Sequence, residues 1–232
     1  MLHTFVRVVF LTAFLAAGQA NAEQPWTFGN NTRYMALGDS LAAGYGATPT
    51  TQGYAYQLYQ KGVYDQAVNT IFANAAVPGA TSMHMLQYQV PQAIGIFTPD
   101  VITISIGGND LIQVLGGADP AAVLGQFQDN LINILCSLRA SLPQARIYIG
   151  NQYDIPEITS AVPGGPQLIA GFNAIVAGVA TACQVSVADV FSEFEGKSGL
   201  LLIERNGAGQ FEVHPSNAGH RALAAAFERA HR

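Results

Sequence analysis

The sequence predicts an α/β protein: a three-layer α/β/α sandwich around a central five-stranded parallel sheet. Three observations predict it. Short apolar runs alternate with longer helical patterns along the chain, as expected for parallel strands joined by right-handed crossovers. The clearest run, Val101–Ile106 (VITISI), is near-continuously apolar, as befits a strand covered on both faces. The composition, 50% hydrophobic and 11% charged, supplies a large core and excludes a disordered chain.

Taken in order, the chain opens with the layout of a secretory signal peptide. Arg7 precedes the apolar run Val8–Ala17, and Ala20-Asn21-Ala22 forms an A-x-A cleavage site. Cleavage after Ala22 leaves residues 23–232 as a single domain of ordinary size. The alternative is a buried N-terminal helix. The run is too short to span a bilayer, and no second stretch reads as a transmembrane helix. The expected location is therefore secreted or periplasmic. Cys136 and Cys183 are the two cysteines. In an exported protein they suggest a disulfide, and two unrelated buried thiols are the alternative.

The first strand is expected at Arg33–Leu37 and a helix at Tyr54–Tyr64. A second strand follows at Thr70–Ala76, meeting the turn signal Val77-Pro78-Gly79. Thr81–Ala93 reads as helix despite Pro91. Strand three is VITISI. Pro120–Ser141 carries Leu124, Phe127, Leu131, Ile134, Leu135 and Leu138 at helical spacing. Arg146–Ile149 is the fourth strand, Pro166–Cys183 a helix and Val185–Val190 the fifth strand. Pro215 is expected to open a last helix, with Leu223 and Phe227 facing the core.

In such sheets ligands bind beyond the carboxyl ends of the strands, and the unusual residues fall there. Gly38-Asp39-Ser40-Leu41 follows the first strand. A serine there lies near a helix N-terminus and unpaired backbone N–H groups; as plain structure it is an N-cap. Gly79, after the second strand, can present its N–H to a ligand or simply turn the chain. Gly107-Gly108-Asn109-Asp110 follows the third strand. The Asn109 amide can donate to an oxyanion, while Asp110 caps the helix expected at Leu111–Leu115. His214 stands just before the last helix, and a free imidazole titrates in the range a general base needs. His220, within that helix, reads as structural. Its spacing of six from His214 is wrong for a shared metal on one helix face.

In this order the blocks GDSL (38–41), NAAVPGAT (74–81), GGND (107–110) and HPSNAGH (214–220) resemble the SGNH (GDSL) hydrolase family, across nearly all of residues 23–232. The resemblance implies a flavodoxin-like α/β/α fold and a serine esterase. It implies Ser40 as nucleophile and His214 as base. The oxyanion hole would comprise the Ser40 N–H, the Gly79 N–H and the Asn109 side chain. The residue chemistry agrees: a serine hydroxyl needs a base, and a tetrahedral intermediate needs donors already in place. One position departs. The family usually carries Asp three residues before the histidine, and here that residue is Phe211. Three groups could orient the ring: Glu212, on the same face of an extended segment; the Phe211 backbone carbonyl; or Asp189, after the fifth strand.

Several classes are excluded. Ala42 breaks the G-x-S-x-G elbow. Pro49 breaks a dinucleotide fingerprint after Gly44 and Gly46. No P-loop or zinc spacing is present, so no cofactor or metal is implied. The net charge of −5 and scattered basic residues argue against nucleic acid. The expected substrate is a small-molecule or lipid ester with a short- to medium-chain acyl group, of lysophospholipid or thioester type. The alternatives are a carbohydrate O-acetyl esterase and a non-catalytic binding module with a degenerate site. Connections are expected to be short and the site open and shallow. Leu41, Met83, Met85 and Leu86 are expected either to contact an acyl chain or to pack in the core.

Overall fold

The computed structural model describes residues 29–160, 163–202 and 213–232. The signal-peptide segment, Phe211 and Glu212 lie outside the described residues. Five strands form one sheet: β1 (Thr32–Gly38), β2 (Thr70–Asn74), β3 (Val101–Ser105), β4 (Arg146–Gly150) and β5 (Ser186–Ala188). Their order is β2-β1-β3-β4-β5, and every neighbouring pair is parallel.

Alternation along the strands builds two cores. Met35, Leu37, Ile102, Ile104, Ile147 and Ile149 point to one face. There they meet Phe127, Leu131 and Ile134 of α6 (Pro120–Ser141) and Phe172 and Val176 of α8 (Gly165–Ala182). Tyr34, Ala36, Val101 and Tyr148 point to the other face. They meet Tyr54 and Leu58 of α2 (Tyr54–Gln60) and Leu223 and Phe227 of α10 (Asn217–His231). Phe227 stacks on Tyr54 with ring centroids 4.9 Å apart. These two layers and the sheet between them are the expected sandwich.

Local chemistry explains the boundaries. Helix α6 starts where expected because Asp119 accepts from Ala122 N and Pro120 occupies the first turn. Helix α2 ends at Gln60, four residues early, at a turn where Gly62 takes φ +64°. The helical run after β2 extends beyond Ala93 to Phe97. It comprises α3 (Ser82–His84), a π turn (Met85–Gln89), α4 (Val90–Gln92) and a second π turn (Ala93–Phe97). Pro91, which lacks an N–H, sits between the two π turns. Strand β5 is shorter than expected. Asp189 accepts from Ser192 N and so caps α9 (Val190–Phe194). Pro215 does not open the last helix. It bridges to Leu201, and Ser216 is the cap.

Cys136 of α6 and Cys183, just after α8, form a disulfide closing a span of 47 residues. Replacing both cysteines with alanine is expected to lower unfolding free energy by about 4 kcal/mol in the chain-entropy model. Equilibrium urea denaturation checks this; an unchanged midpoint contradicts it.

Candidate active site

A strand order of 2-1-3-4-5 reverses direction between β1 and β3, so a crevice opens beyond the carboxyl ends of those strands. Gly38 ends β1 with φ +136°. A Cβ there would stand 1.9 Å from the Ser105 carbonyl oxygen, so the close approach of β1 and β3 requires glycine. Asp39 then donates its N–H to that same oxygen (3.0 Å). The Asp39 carboxylate accepts from Leu41 N and caps α1 (Ser40–Ala43). Asp39, not Ser40, is therefore the cap. Ser40 occupies the first helical position with its hydroxyl available for other work.

That hydroxyl lies 2.8 Å from His214 Nε2. With the ring proton on Nδ1, Nε2 accepts the Ser40 hydroxyl hydrogen. The histidine is fixed from several sides. Its carbonyl accepts from Leu202 N at 2.8 Å, and the preceding Val213 carbonyl accepts from Tyr153 Oη at 3.1 Å. The Tyr45 ring lies 5.0 Å from the imidazole. Gly46, at φ +83°, lets the chains approach; a Cβ there would meet the Pro215 carbonyl oxygen at 2.3 Å.

Two side chains of α10 tie it to the loop after α1. Asn217 exchanges two 2.8 Å hydrogen bonds with the Thr48 backbone. His220, fully buried, accepts from Tyr54 N and donates to the Tyr45 carbonyl. Both ring nitrogens are engaged, which makes His220 structural. Burial lowers its pKa, consistent with a neutral ring.

Gly79, at φ +83°, and Asn109 line the same cleft as Ser40 and His214. One hydrogen of the Asn109 amide goes to the Ala80 carbonyl at 2.9 Å. A primary amide carries a second. Asp110 does not cap α5 (Gly108–Leu115); Gly107 occupies that position. Instead the Asp110 carboxylate accepts from both Ser82 N (2.9 Å) and Ser82 Oγ (2.6 Å), and Asn130 donates to Ser82 Oγ. The Gly79 turn and the start of α5 are thus bolted together. Of the groups weighed for orienting His214, Asp189 uses Oδ1 to accept from Asn151 Nδ2 and Ser192 N.

A cleft of about 340 Å³ runs from Ser40 and His214 between α5 and α8. Its apolar wall is Leu111, Ile112, Leu115, Ile155, Leu168 and Ile169. Of the residues expected as acyl contacts, Leu41 lines the cleft. Met85 is in the core, and Leu86 packs against it. The β4–α8 connection, expected as a plain link, carries the short helix α7 (Pro156–Thr159) and adds a wall through Tyr153, Ile155 and Thr159. The sequence did carry one signal for this wall. Helix α5 has apolar residues at helical spacing, yet Asp110 is its buried residue. Leu111 and Val114 pack against the core, while Ile112 and Leu115 stay half exposed and line the cleft.

A serine hydroxyl bonded to an imidazole, with the Gly79 and Asn109 amides and an apolar trough lining the same cleft, is equipped for acyl transfer from a carboxylic ester. The protein is a carboxylic-ester hydrolase, and it belongs to the GDSL-like lipase/acylhydrolase family, whose model matches residues 36–222. It is 27% identical over 208 residues to the spore germination lipase LipC of Bacillus licheniformis, covering 82% of this chain and 92% of that protein. Among solved structures, the acetylxylan esterase Axe2 of Geobacillus stearothermophilus shares the fold at TM-score 0.67 and 19% identity, covering 88% of this chain and 95% of that one. Phospholipase A1 of Streptomyces albidoflavus NA297 does so at TM-score 0.63 and 19% identity, covering 86% and 99%.

Asp39 is almost fully buried. Burial, with a contribution from neighbouring Asp110, holds its carboxyl up at about 7. Between the ordinary carboxylate range and about pH 7 the folded state thus binds more protons than the unfolded chain, so this group's contribution to stability falls as pH rises through that window. Asp39→Asn keeps an acceptor for Leu41 N and removes the titration. Its melting temperature relative to the unsubstituted protein is expected to increase from about pH 5 to about pH 8. Thermal melts across that range check this; a constant or falling difference contradicts it.

Proposed function

We propose an exported serine esterase that hydrolyses short- to medium-chain acyl esters, of lysophospholipid or thioester type, through an acyl-enzyme on Ser40. The observation that carries this reading is the 2.8 Å contact between Ser40 Oγ and His214 Nε2. His214 takes the hydroxyl proton as Oγ attacks the ester carbonyl, and the carbonyl oxygen becomes an oxyanion. The Ser40 N–H, the Gly79 N–H and the second hydrogen of the Asn109 amide receive that charge. His214 then protonates the leaving alcohol. Water repeats the sequence on the acyl-enzyme, releasing the acid and restoring Ser40.

A base that becomes cationic needs its second ring nitrogen held. Glu212, two residues before His214 in the chain, is our choice for this role, with the Phe211 carbonyl as the alternative. Loss of such an orienting acid can cost about 10⁴-fold in turnover. Export rests on the Met1–Ala22 pattern and is supported by the disulfide, which persists in oxidising compartments. Intact mass of the secreted or periplasmic protein is expected to start at Glu23.

The apolar cleft favours acyl chains over acetyl groups. Each methylene lodged there contributes about 0.8 kcal/mol. A carbohydrate O-acetyl esterase is the second reading, favoured by the fold shared with an acetylxylan esterase.

Fluorophosphonate is expected to label the protein, and Ser40→Ala to abolish labelling. Asn109→Ala is expected to lower kcat by about 10²–10³-fold. kcat/KM on nitrophenyl esters is expected to rise from acetate to hexanoate, and Ile112→Asp to flatten that rise. Preference for acetate, with acetate released from acetylated polysaccharide, overturns the acyl-chain reading. A Glu212→Gln variant with full activity removes Glu212 from its role.

A further inference from the structure

We infer that Gln89 is a positioning residue for the nucleophile, acting as a substitute strand at the end of β1. This rests on the reading of Ser40 as the nucleophile. In a parallel sheet, each interior strand needs partners on both sides. On the β3 side β1 is paired to its last residue, Gly38 with Ser105. On the β2 side regular pairing stops two residues earlier, at Ala36 with Asn74. On that side the Gly38 carbonyl still accepts from Val77 N at 3.0 Å, three residues past β2, but the Gly38 N–H meets a side chain in place of a strand, just before the chain turns into Asp39 and Ser40.

Gln89 fills the gap. Its Oε1 accepts from Gly38 N at 2.7 Å, and its Nε2 donates to the Gly38 carbonyl at 2.7 Å. A primary amide carries the acceptor and donor of a peptide group, so one side chain takes the N–H and shares the carbonyl with Val77 N. The pair is 1% exposed at Gln89, where water cannot compete. Gln89 is the last residue of the π turn Met85–Gln89. A π turn within a helix often marks a functional constraint, and here it ends on the residue whose amide reaches the strand.

Gly38 has no side chain to anchor it and takes φ +136°. Its peptide planes are held by the Ser105 contact on one side and by Gln89, with Val77 N donating to the Gly38 carbonyl, on the other. Their orientation sets where the next peptide points, and so where Ser40 Oγ and Ser40 N stand relative to His214 and Asn109. Releasing Gly38 therefore displaces the nucleophile and one oxyanion donor together. Gln89 touches neither substrate nor reacting atoms. Its absence should slow acylation without weakening binding in the apolar cleft.

The test uses the full mature protein, nitrophenyl butyrate and a fluorophosphonate probe. Gln89→Leu is expected to lower kcat and the labelling rate by about 10²-fold, the scale of an ångström of misplacement, with KM within about twofold. Tyr34→Phe is the control. It removes a buried hydrogen bond to Thr103 from the same strand, and kcat should be unchanged. Gln89→Glu supplies the pH readout. When protonated it is isosteric with glutamine and offers both an acceptor and a donor. When ionised it loses the donor and faces the Gly38 carbonyl with a charge. Its kcat relative to the unsubstituted protein is expected to be near one at about pH 5 and to fall as pH rises. The inference is overturned if folded Gln89→Leu keeps kcat within about threefold, if kcat in all three variants simply follows melting temperature, or if the Gln89→Glu ratio is flat with pH. A Gln89→Glu protein unfolded at about pH 5 overturns it too, because both hydrogen bonds are then available. Absence of labelling in the unsubstituted protein defeats the Ser40 reading instead, which separates the two failures.

Discussion

The hydrogen bond from Ser40 Oγ to His214 Nε2 joins residues 174 positions apart. Neither side chain can hold that distance by itself, because Ser40 is the first residue of α1 and His214 lies two residues before the Ser216 cap of α10. The architecture therefore has to fix two backbone ends: the carboxyl end of β1 and the amino end of α10. Much of the buried polar chemistry near the cleft serves those ends. Asn217 and His220 fasten α10 to the loop after α1. Gln89 and Ser105 hold the last residue of β1. Gly46 removes the side chain that would keep the two apart.

Gly79 and Asn109, which line the cleft with Ser40, are held in the same way. The Gly79 turn and Asn109 come from different crossovers, yet Ala80, Ser82 and Asp110 join them through three hydrogen bonds. Electrostatic stabilisation of an oxyanion depends on donors that do not have to reorganise during the reaction. A buried, fully paired network supplies that rigidity, whereas a half-paired one is costly. Helix α5 thus serves both parts: Asn109 and Asp110 in its first turn join the polar network, and Leu111, Ile112 and Leu115 line the apolar cleft.

The fold was legible because apolar periodicity decides it. Val101–Ile106, Arg33–Leu37 and the helical spacing of apolar residues in α6 needed no tertiary information. The site positions were legible because they fall at strand ends, where few residue types are tolerated; Gly38 shows this most plainly, since no side chain fits there. What escaped the sequence was decided by contacts between distant segments. Asp110 looked like a helix cap because caps are local, but Ser82 claims its carboxylate. Pro215 looked like a helix start, but a bridge to Leu201 claims it. Gln89 gave no signal at all, since a glutamine in a helical run is usually solvated and nothing local announces a missing strand. The cleft wall was half legible. Leu111, Ile112 and Leu115 form an apolar face, but only the packing shows that this face lines a cavity, with Leu111 also touching the core.

The central claim is geometric: one point in space lies within reach of Ser40 Oγ and of three donors contributed by Ser40, Gly79 and Asn109. A crystal structure of the protein inactivated by an alkyl fluorophosphonate tests it most directly. The account predicts phosphorus bonded to Ser40 Oγ. Its unsubstituted oxygen should lie about 2.7–3.1 Å from Ser40 N, Gly79 N and Asn109 Nδ2, with the alkyl group in the α5–α8 cleft. Phosphorus on a different residue, or that oxygen turned toward solvent away from the three donors, would contradict it.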